Sequence, residues 1–408
     1  MVPERKLVIT EARCAMDVFE KCGKLNEQTQ ELRRDGHYFF FRKLESPQDS
    51  EVMVNGKRLI MIGSNNYLGL TNHPRVKEAA IKAIEKFGSG CAGSRYLNGN
   101  LEIHEELEAK LARFFRKEAA VVFATGYQTN LGTLSALLGR HDIAVIDSYD
   151  HASIIDGCRL SFGQVKKFHH NDMRDLERIL AGIKDKGKLI VVDGIFSMDG
   201  DIANLPSIIK LAKAYGARVM VDDAHAIGVL GEGGRGTAEH FGVEDQLDLI
   251  MGTYSKSLAA IGGFVAGSRD VIDFIKHAGR SMMFSASLPP SLVASVSTAL
   301  DIIEEQPQLR IQLWKNTHKM LQGYKSLGYD TGTSETPIVP IIIGDNNKVY
   351  EMCKLLFENG IFVNAVVSPA VPPGKELLRT SYMATHTEAQ LDKVLSAFKK
   401  IGKQLGVI

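Results

Sequence analysis

Seven short apolar runs, alternating with helix-length stretches through the middle of the chain, constrain its fold more than any other feature. They fall at Ala119 to Phe123, Ile143 to Ile146, Val165 to Phe168, Leu189 to Val192, Val219 to Val221, Leu249 to Met251 and Gly263 to Ala266. Apolar runs this short read as buried strands, and strands separated by helices read as parallel. The expected fold class is therefore α/β: a mostly parallel seven-stranded sheet with helices on both faces. A length of 408 residues leaves room for a second, smaller domain. Pro289-Pro290 marks the exit from the large domain, and the amphipathic pattern from Leu292 onward, with Ile338 to Ile343 and Ile361 to Val363, predicts a smaller α+β domain. The expected boundaries are 1–58 for an N-terminal helical and hairpin segment, 59–290 for the large domain and 291–408 for the small one.

Residues up to about Lys43, with the aromatic cluster Tyr38-Phe-Phe-Phe41, are expected to be helical. Val52-Met-Val54, Asn55-Gly56 and Arg58 to Ile62 predict a hairpin with a two-residue turn. Pro74 in a first turn and Gly88 just past the end predict a helix running to Phe87. A net charge of +1 argues against nucleic acid as the main partner. Cys14, Cys22, Cys91, Cys158 and Cys353 are odd in number and scattered, so they read as reduced thiols with neither a disulfide framework nor a structural metal. With no apolar run near the roughly 18 residues of a membrane span and no signal-peptide pattern, the expected location is the cytoplasm.

Open parallel sheets bind ligands beyond the carboxyl ends of their strands. Residues following the apolar runs are therefore the functional candidates. Gly252-Thr-Tyr-Ser-Lys-Ser-Leu-Ala-Ala-Ile-Gly-Gly-Phe264 sets Lys256 at such an end, between small hydroxyl residues and before a glycine pair. Burial there depresses an amine's pKa and makes it a usable nucleophile. Arg218-Val-Met-Val-Asp-Asp-Ala-His225 ends a second strand with Asp222 and His225, and Asp150-His151-Ala-Ser153 follows a third. Lysine, aspartate and two histidines are the set that holds pyridoxal 5′-phosphate (PLP): a Schiff base, a partner for the pyridine nitrogen, and contacts to the ring face and phenolic oxygen. Gly126-Tyr-Gln-Thr-Asn130 opens a helix after a strand, so its free N–H groups suit a phosphate, with Thr253 and Ser255 adding hydroxyls.

Other patterns carry less. Gly88-x-Gly90-x-x-Gly93 and Gly231-x-Gly233-x-x-Gly236 match a dinucleotide fingerprint, but neither lies between a strand and a helix in the required way, and both read as loops. His104-Glu105-Glu-Leu-Glu108 lacks the second histidine of a metal helix and reads as a solvated helical face. Arg379, in Leu377-Leu-Arg-Thr-Ser381, is either a surface charge or a fork for a substrate carboxylate.

Gly63-Ser-Asn-Asn-Tyr-Leu-Gly-Leu70, Gly88-Ser-Gly-Cys-Ala-Gly-Ser-Arg95, Asp193-Gly-Ile-Phe-Ser-Met-Asp-Gly200, Val221-Asp-Asp-Ala-His225 and the Lys256 segment together resemble the α-oxoamine synthases, which belong to fold type I of the PLP-dependent transferases. The similarity covers nearly the whole chain. It implies that Lys256 carries the cofactor, Asp222 pairs with the pyridine nitrogen, His225 and Ser197 lie at the phenolic oxygen, and His151 stacks on the ring. Gly126, Tyr127, Thr253 and Ser255 would hold the phosphate, with Ser285 and Ala286 arriving from the second subunit of a homodimer whose active sites are shared. Asn66, Arg95 and Arg379 would bind substrate, and no metal is implied.

Ser255, where other branches usually carry glycine, points to the branch that condenses L-serine with a long-chain acyl-CoA, as do Phe284-Ser-Ala-Ser-Leu-Pro-Pro290 and Ser368-Pro-Ala-Val-Pro-Pro373. Tyr254 departs from the commoner phenylalanine and changes little. Peripheral contact with the inner membrane, to collect the lipid substrate, is a further expectation. The alternatives are a sister synthase using glycine or alanine, a catalytically silent partner subunit, and a PLP-binding scaffold. Lys256 together with Asp222 and His225 argues against the silent subunit.

Overall fold

A computed structural model describes residues 17–368 and 370–408. Cys14, the first part of the expected N-terminal helix and Pro369 lie outside the described residues. The chain divides into two compact units, one ending at Arg42 and the other spanning Lys43–Ile408.

In the first unit a single helix, α1 (Glu20–Arg34), stops well short of Lys43. Gly36 adopts φ 69°, and the Gly36 and His37 N–H groups bond back to the Arg33 and Leu32 carbonyls. A glycine in the left-handed region closes a helix this way. The aromatic cluster Tyr38 to Phe41 is consequently not helical, contrary to expectation.

The second unit opens with the hairpin β1 (Glu51–Val54) and β2 (Lys57–Met61). Asn55 and Gly56 both have positive φ (51° and 69°), as a turn matching the strand twist requires. There follow α2 (Pro74–Phe87), α3 (Glu102–Phe114), β3 (Ala119–Phe123), α4 (Gly126–Leu137), β4 (Asp142–Asp147), α5 (Ala152–Leu160), β5 (Gln164–Phe168), α6 (Met173–Ala181), β6 (Gly187–Asp193), α7 (Leu205–Tyr215) and β7 (Arg218–Asp222). The order continues with α8 (Thr237–His240), β8 (Leu249–Thr253), β9 (Gly263–Gly267), α9 (Arg269–Ala278), α10 (Arg280–Met283), α11 (Pro290–Glu305) and α12 (Pro307–Leu327). It ends with β10 (Ile338–Ile342), α13 (Asn346–Glu358), β11 (Ile361–Phe362), β12 (Asn364–Val366), β13 (Leu377–Ser381) and α14 (Glu388–Gln404).

Seven strands form one sheet in the order β3-β9-β8-β7-β6-β4-β5. All neighbours are parallel except β9, which runs antiparallel to both β3 and β8. Every residue of β8 and β9 is buried, and only the first residue of β3, β4 and β7 is not, because helices cover both faces. Two three-stranded sheets complete the unit: β10-β13-β12, and β1-β2-β11, in which the N-terminal hairpin is extended by a parallel strand from the C-terminal region. Among the described residues no helix is long and apolar enough to cross a membrane.

The His104 to Glu108 segment is only in part the solvated face expected of it: Glu105 and Glu106 are exposed, whereas His104, Leu107 and Glu108 are buried. His104 is fully buried, its Nδ1 accepting from the Leu101 N–H and its Nε2 lying 2.8 Å from the Leu288 carbonyl. Burial lowers its pKa. Glu108 is also buried, for reasons given below.

Candidate active site

The parallel register brings the carboxyl ends of β3, β4, β6, β7 and β8 to one edge of the sheet. Asp193, the last residue of β6, pairs in register with Asp222, the last of β7. The segments that continue from these ends carry His151, Ser197, His225 and Lys256, and α4 begins three residues after β3. Fold and candidate residues therefore converge without further adjustment.

Lys256 lies half-buried three residues past β8. Burial brings its amine down to about 8; the nearby Asp222 and Asp193 carboxylates oppose that shift, and the Arg379 charge adds to it. Asp222 is buried, with Oδ1 accepting from the Ala224 N–H at 3.0 Å and Oδ2 accepting from Asn130 Nδ2 at 2.7 Å. One donor on each oxygen leaves further lone pairs of Asp222 at the edge. Asp193 and the adjacent Asp150 are pushed well above the usual carboxylate range, chiefly by burial and then by neighbouring acids. Asp193 Oδ2 accepts the His151 backbone N–H at 2.9 Å. His151 then caps α5 with its Nδ1 2.7 Å from Ser153 Oγ.

Gly126, Thr253 and Ser255, expected to hold a phosphate, lie together. Thr125 caps α4, its hydroxyl accepting from the Gln128 N–H at 3.1 Å. The Gly126 and Tyr127 N–H groups, in the first turn, have no intrahelical acceptor. Gly126 is packed so tightly on Thr253 that a Cβ there would come within 2.5 Å of Thr253 Oγ1. Ser255 Oγ is 3.0 Å from that hydroxyl. Helix N–H groups, the helix dipole and two hydroxyls thus meet at one point. The exposed Tyr127 ring lies edge-on to His151 at 6.5 Å, and its hydroxyl donates to Asp156.

Arg379 is buried in the middle of β13 and is not a surface charge. Its Nε donates to the Ser197 carbonyl at 2.7 Å and an Nη to Asn65 Oδ1 at 3.1 Å. His225 is buried, its Nδ1 2.7 Å from the Tyr67 hydroxyl. Burial, then the Lys256 and Arg379 charges, hold it well below the ordinary histidine pKa, so it is neutral. Burial pushes Tyr67 up to about 12 despite Arg379.

Three expected residues point elsewhere within this chain. The Asn66 amide donates to Thr71 Oγ1 at 2.7 Å, and it is the neighbouring Asn65 that reaches Arg379. Arg95 pairs with buried Glu108 at 2.8 Å, and Glu108 also meets Lys276 at 3.0 Å and the Val122 N–H at 3.0 Å. That network, buried because it ties the glycine-rich loop to β3 and α9, explains the buried face of α3. Ser285 Oγ accepts at 3.0 Å from the side chain of Gln128 of its own chain, the residue after Tyr127, with Ala286 beside it.

Sequence reading missed Asn65, Tyr67, Asn130 and Asp193 as members of the site. Asn130 had a usable signal: it lies four residues from Gly126, on the same helical face. The donor set fits PLP on the structure's own terms. A buried carboxylate, an amine of lowered pKa, a neutral buried imidazole and an anion cradle stand at one sheet edge.

A model of the aminotransferase class I and II family matches residues 57–398. The chain is similar to a serine palmitoyltransferase from Sphingobacterium spiritivorum, at 54% identity over 94% of this chain and 98% of that protein. It is also similar to an 8-amino-7-oxononanoate synthase from Thermoanaerobacter pseudethanolicus, at 49% identity over 94% of this chain and 98% of that protein. Among solved structures, a serine palmitoyltransferase from S. paucimobilis with a bound PLP–myriocin aldimine matches with a TM-score of 0.93 at 38% identity, covering 96% of this chain and 100% of that one.

Proposed function

The chain belongs to the aminotransferase class I and II family, within the α-oxoamine synthases, and on that premise we propose that it is a PLP-dependent acyltransferase. It joins L-serine to a long-chain acyl-CoA, releasing CoA and carbon dioxide and leaving a 3-keto amino alcohol. The observation that carries the chemistry is the Lys256 amine, at about 8, set beside the Asp222 carboxylate at the sheet edge. The choice of serine and long-chain thioester follows the 54% identical relative.

Bound PLP supplies the electron sink for the carbanion left when Cα loses its proton and, later, its carboxylate. Asp222 would hold a proton on the pyridine nitrogen. Gly126, Tyr127, Thr253 and Ser255 hold the phosphate. With the cofactor bound, Lys256 would anchor it and, once free, its amine would take the Cα proton and return one at the end. His225, neutral and fixed by Tyr67, would contact the phenolic oxygen, with Ser197 expected beside it. Arg379, already oriented by the Ser197 carbonyl and Asn65, meets the substrate carboxylate as a planar fork.

The 49% identical relative favours one second reading, a sister synthase acting on alanine. CoA release from a matrix of serine, alanine and glycine against short and long acyl-CoAs separates the two. A site that pairs with the substrate hydroxyl rejects analogues lacking it, so serine with a long saturated acyl-CoA should exceed alanine in kcat/KM by roughly 100-fold or more. Alanine matching or outperforming serine would assign the chain to the sister reaction.

The active unit is a two-fold homodimer with shared sites. Leu97 and Phe284, 80% and 73% exposed, flank the Arg95 and Ser285 segments and suit coverage by a second copy. Leu97→Glu with Phe284→Glu is expected to sediment as a single chain and to lose activity. A stable dimer in that variant would move the interface elsewhere.

A further inference from the structure

Asn130 and Ser153 connect two members of the site that do not bond to each other. Asn130 is fully buried on α4, with its Nδ2 2.7 Å from Asp222 Oδ2 and 2.8 Å from Ser153 Oγ. Ser153 Oγ is 2.7 Å from His151 Nδ1, and the Ser153 backbone N–H approaches the same nitrogen at 3.3 Å.

The direction of every hydrogen in this chain follows from the carboxylate. Were the Asn130 amide turned over, its oxygen would face a carboxylate oxygen, acceptor against acceptor. With nitrogen there, one N–H goes to Asp222 and the other to Ser153. The Ser153 hydroxyl has one proton, and the acceptor left to it is His151 Nδ1. That nitrogen therefore receives an O–H and faces an N–H, and carries no proton of its own. Asn130 Oδ1 is buried without a partner, an arrangement natural structures rarely keep without a use for it.

We propose that Asn130 and Ser153 are positioning residues that lock His151 in the neutral tautomer with its proton on Nε2, so that the exposed ring meets bound ligands as a donor and not as a base. The proposal rests on the PLP-dependent reading above, since the tautomer matters only where cofactor and substrate lie against the ring. The titratable groups facing His151 are Asp222 from β7, Asp193 from β6 with Asp150 behind it, Lys256 after β8, His225, and Tyr127 from α4. Burial, then the Lys256 charge, lower the His151 pKa against the pull of Asp222, the direction the lock requires.

Nitrogen-15 NMR of histidine-labelled protein, with and without cofactor, reads the tautomer directly; loss of one set of signals in His151→Asn assigns it. Nδ1 is expected as a bare acceptor and Nε2 as protonated in both forms. Asn130→Asp, holding a proton toward Asp222 Oδ2, keeps the shape but offers Ser153 an oxygen acceptor, so the hydroxyl turns away and His151 moves its proton to Nδ1. Ser153→Ala removes a bond made to the neutral ring and raises the His151 pKa by about one unit, while Ser153→Thr restores it. A merely structural role would change stability and leave tautomer and pKa where they were. If Asn130→Asp does not fold, the alanine and threonine pair at Ser153 decides. Protonated Nδ1 in the unsubstituted protein, or no change in any variant, overturns the lock. A pyridoxyl label absent from Lys256 alongside the expected tautomer would instead overturn the functional reading alone.

Discussion

Lys256→Ala is expected to reduce turnover by at least about 10⁴-fold, because one amine both anchors the cofactor and carries the Cα proton. Its pKa explains how it does the first. With a value of about 8, roughly a tenth of the amine is neutral at pH 7, against about one part in 3,000 for an ordinary lysine. Burial raises the nucleophilic fraction by about two orders of magnitude, and the acids beside it keep the shift from going further. Cofactor uptake by the apoprotein should accordingly rise about tenfold per pH unit below about 8 and level off above it. Borohydride reduction and peptide mapping locate the cofactor: the pyridoxyl group should appear on the peptide containing Lys256 and nowhere in the alanine variant. A label on any other lysine would dissolve the site assignment, and uptake still climbing steeply above pH 9 or so would dissolve the account of its pKa.

The sheet and the chemistry on its edge were both legible in the sequence, and for one reason. A strand buried on both faces needs an unbroken apolar run, so its end is visible as the first polar residue, and in a parallel sheet the ends are where ligands bind. Asp222 announces itself this way, and His225, His151 and Lys256 follow within five residues of such an end. Tyr67 and Asn65 do not, because they reach the edge from a loop before α2, where sequence distance to His225 or Arg379 carries no signal, and Asn130, on a helix flank, offers only its four-residue spacing from Gly126. The two clear misreadings each have a physical cause. Gly36 ends α1 through a left-handed φ that periodicity does not register. His104 and Glu108 look solvated because polar residues usually are; backbone groups of Leu101 and Leu288 pair with His104, and three donors from distant segments converge on Glu108, so both are satisfied in the interior.

Asp222→Asn should cost about 10³-fold in kcat while leaving the cofactor on Lys256. The carboxylate receives two N–H groups, from Asn130 and Ala224. A carboxamide can accept only one of them through oxygen and sets its own N–H₂ against the other, so the substitution loses a bond as well as the charge. Without the charge nothing holds the proton on the pyridine nitrogen, and the ring withdraws electrons less from Cα. The same charge acts on Lys256, where it raises the pKa against burial. Removing it must therefore move the midpoint of cofactor uptake below the native value of about 8, so that uptake at pH 7 becomes faster in a variant that turns over far more slowly. These opposite signs distinguish an electrostatic role from local collapse, which would slow both. Activity within tenfold of the unsubstituted protein, or an uptake midpoint that moves upward, would remove Asp222 from its place beside the amine and the ring.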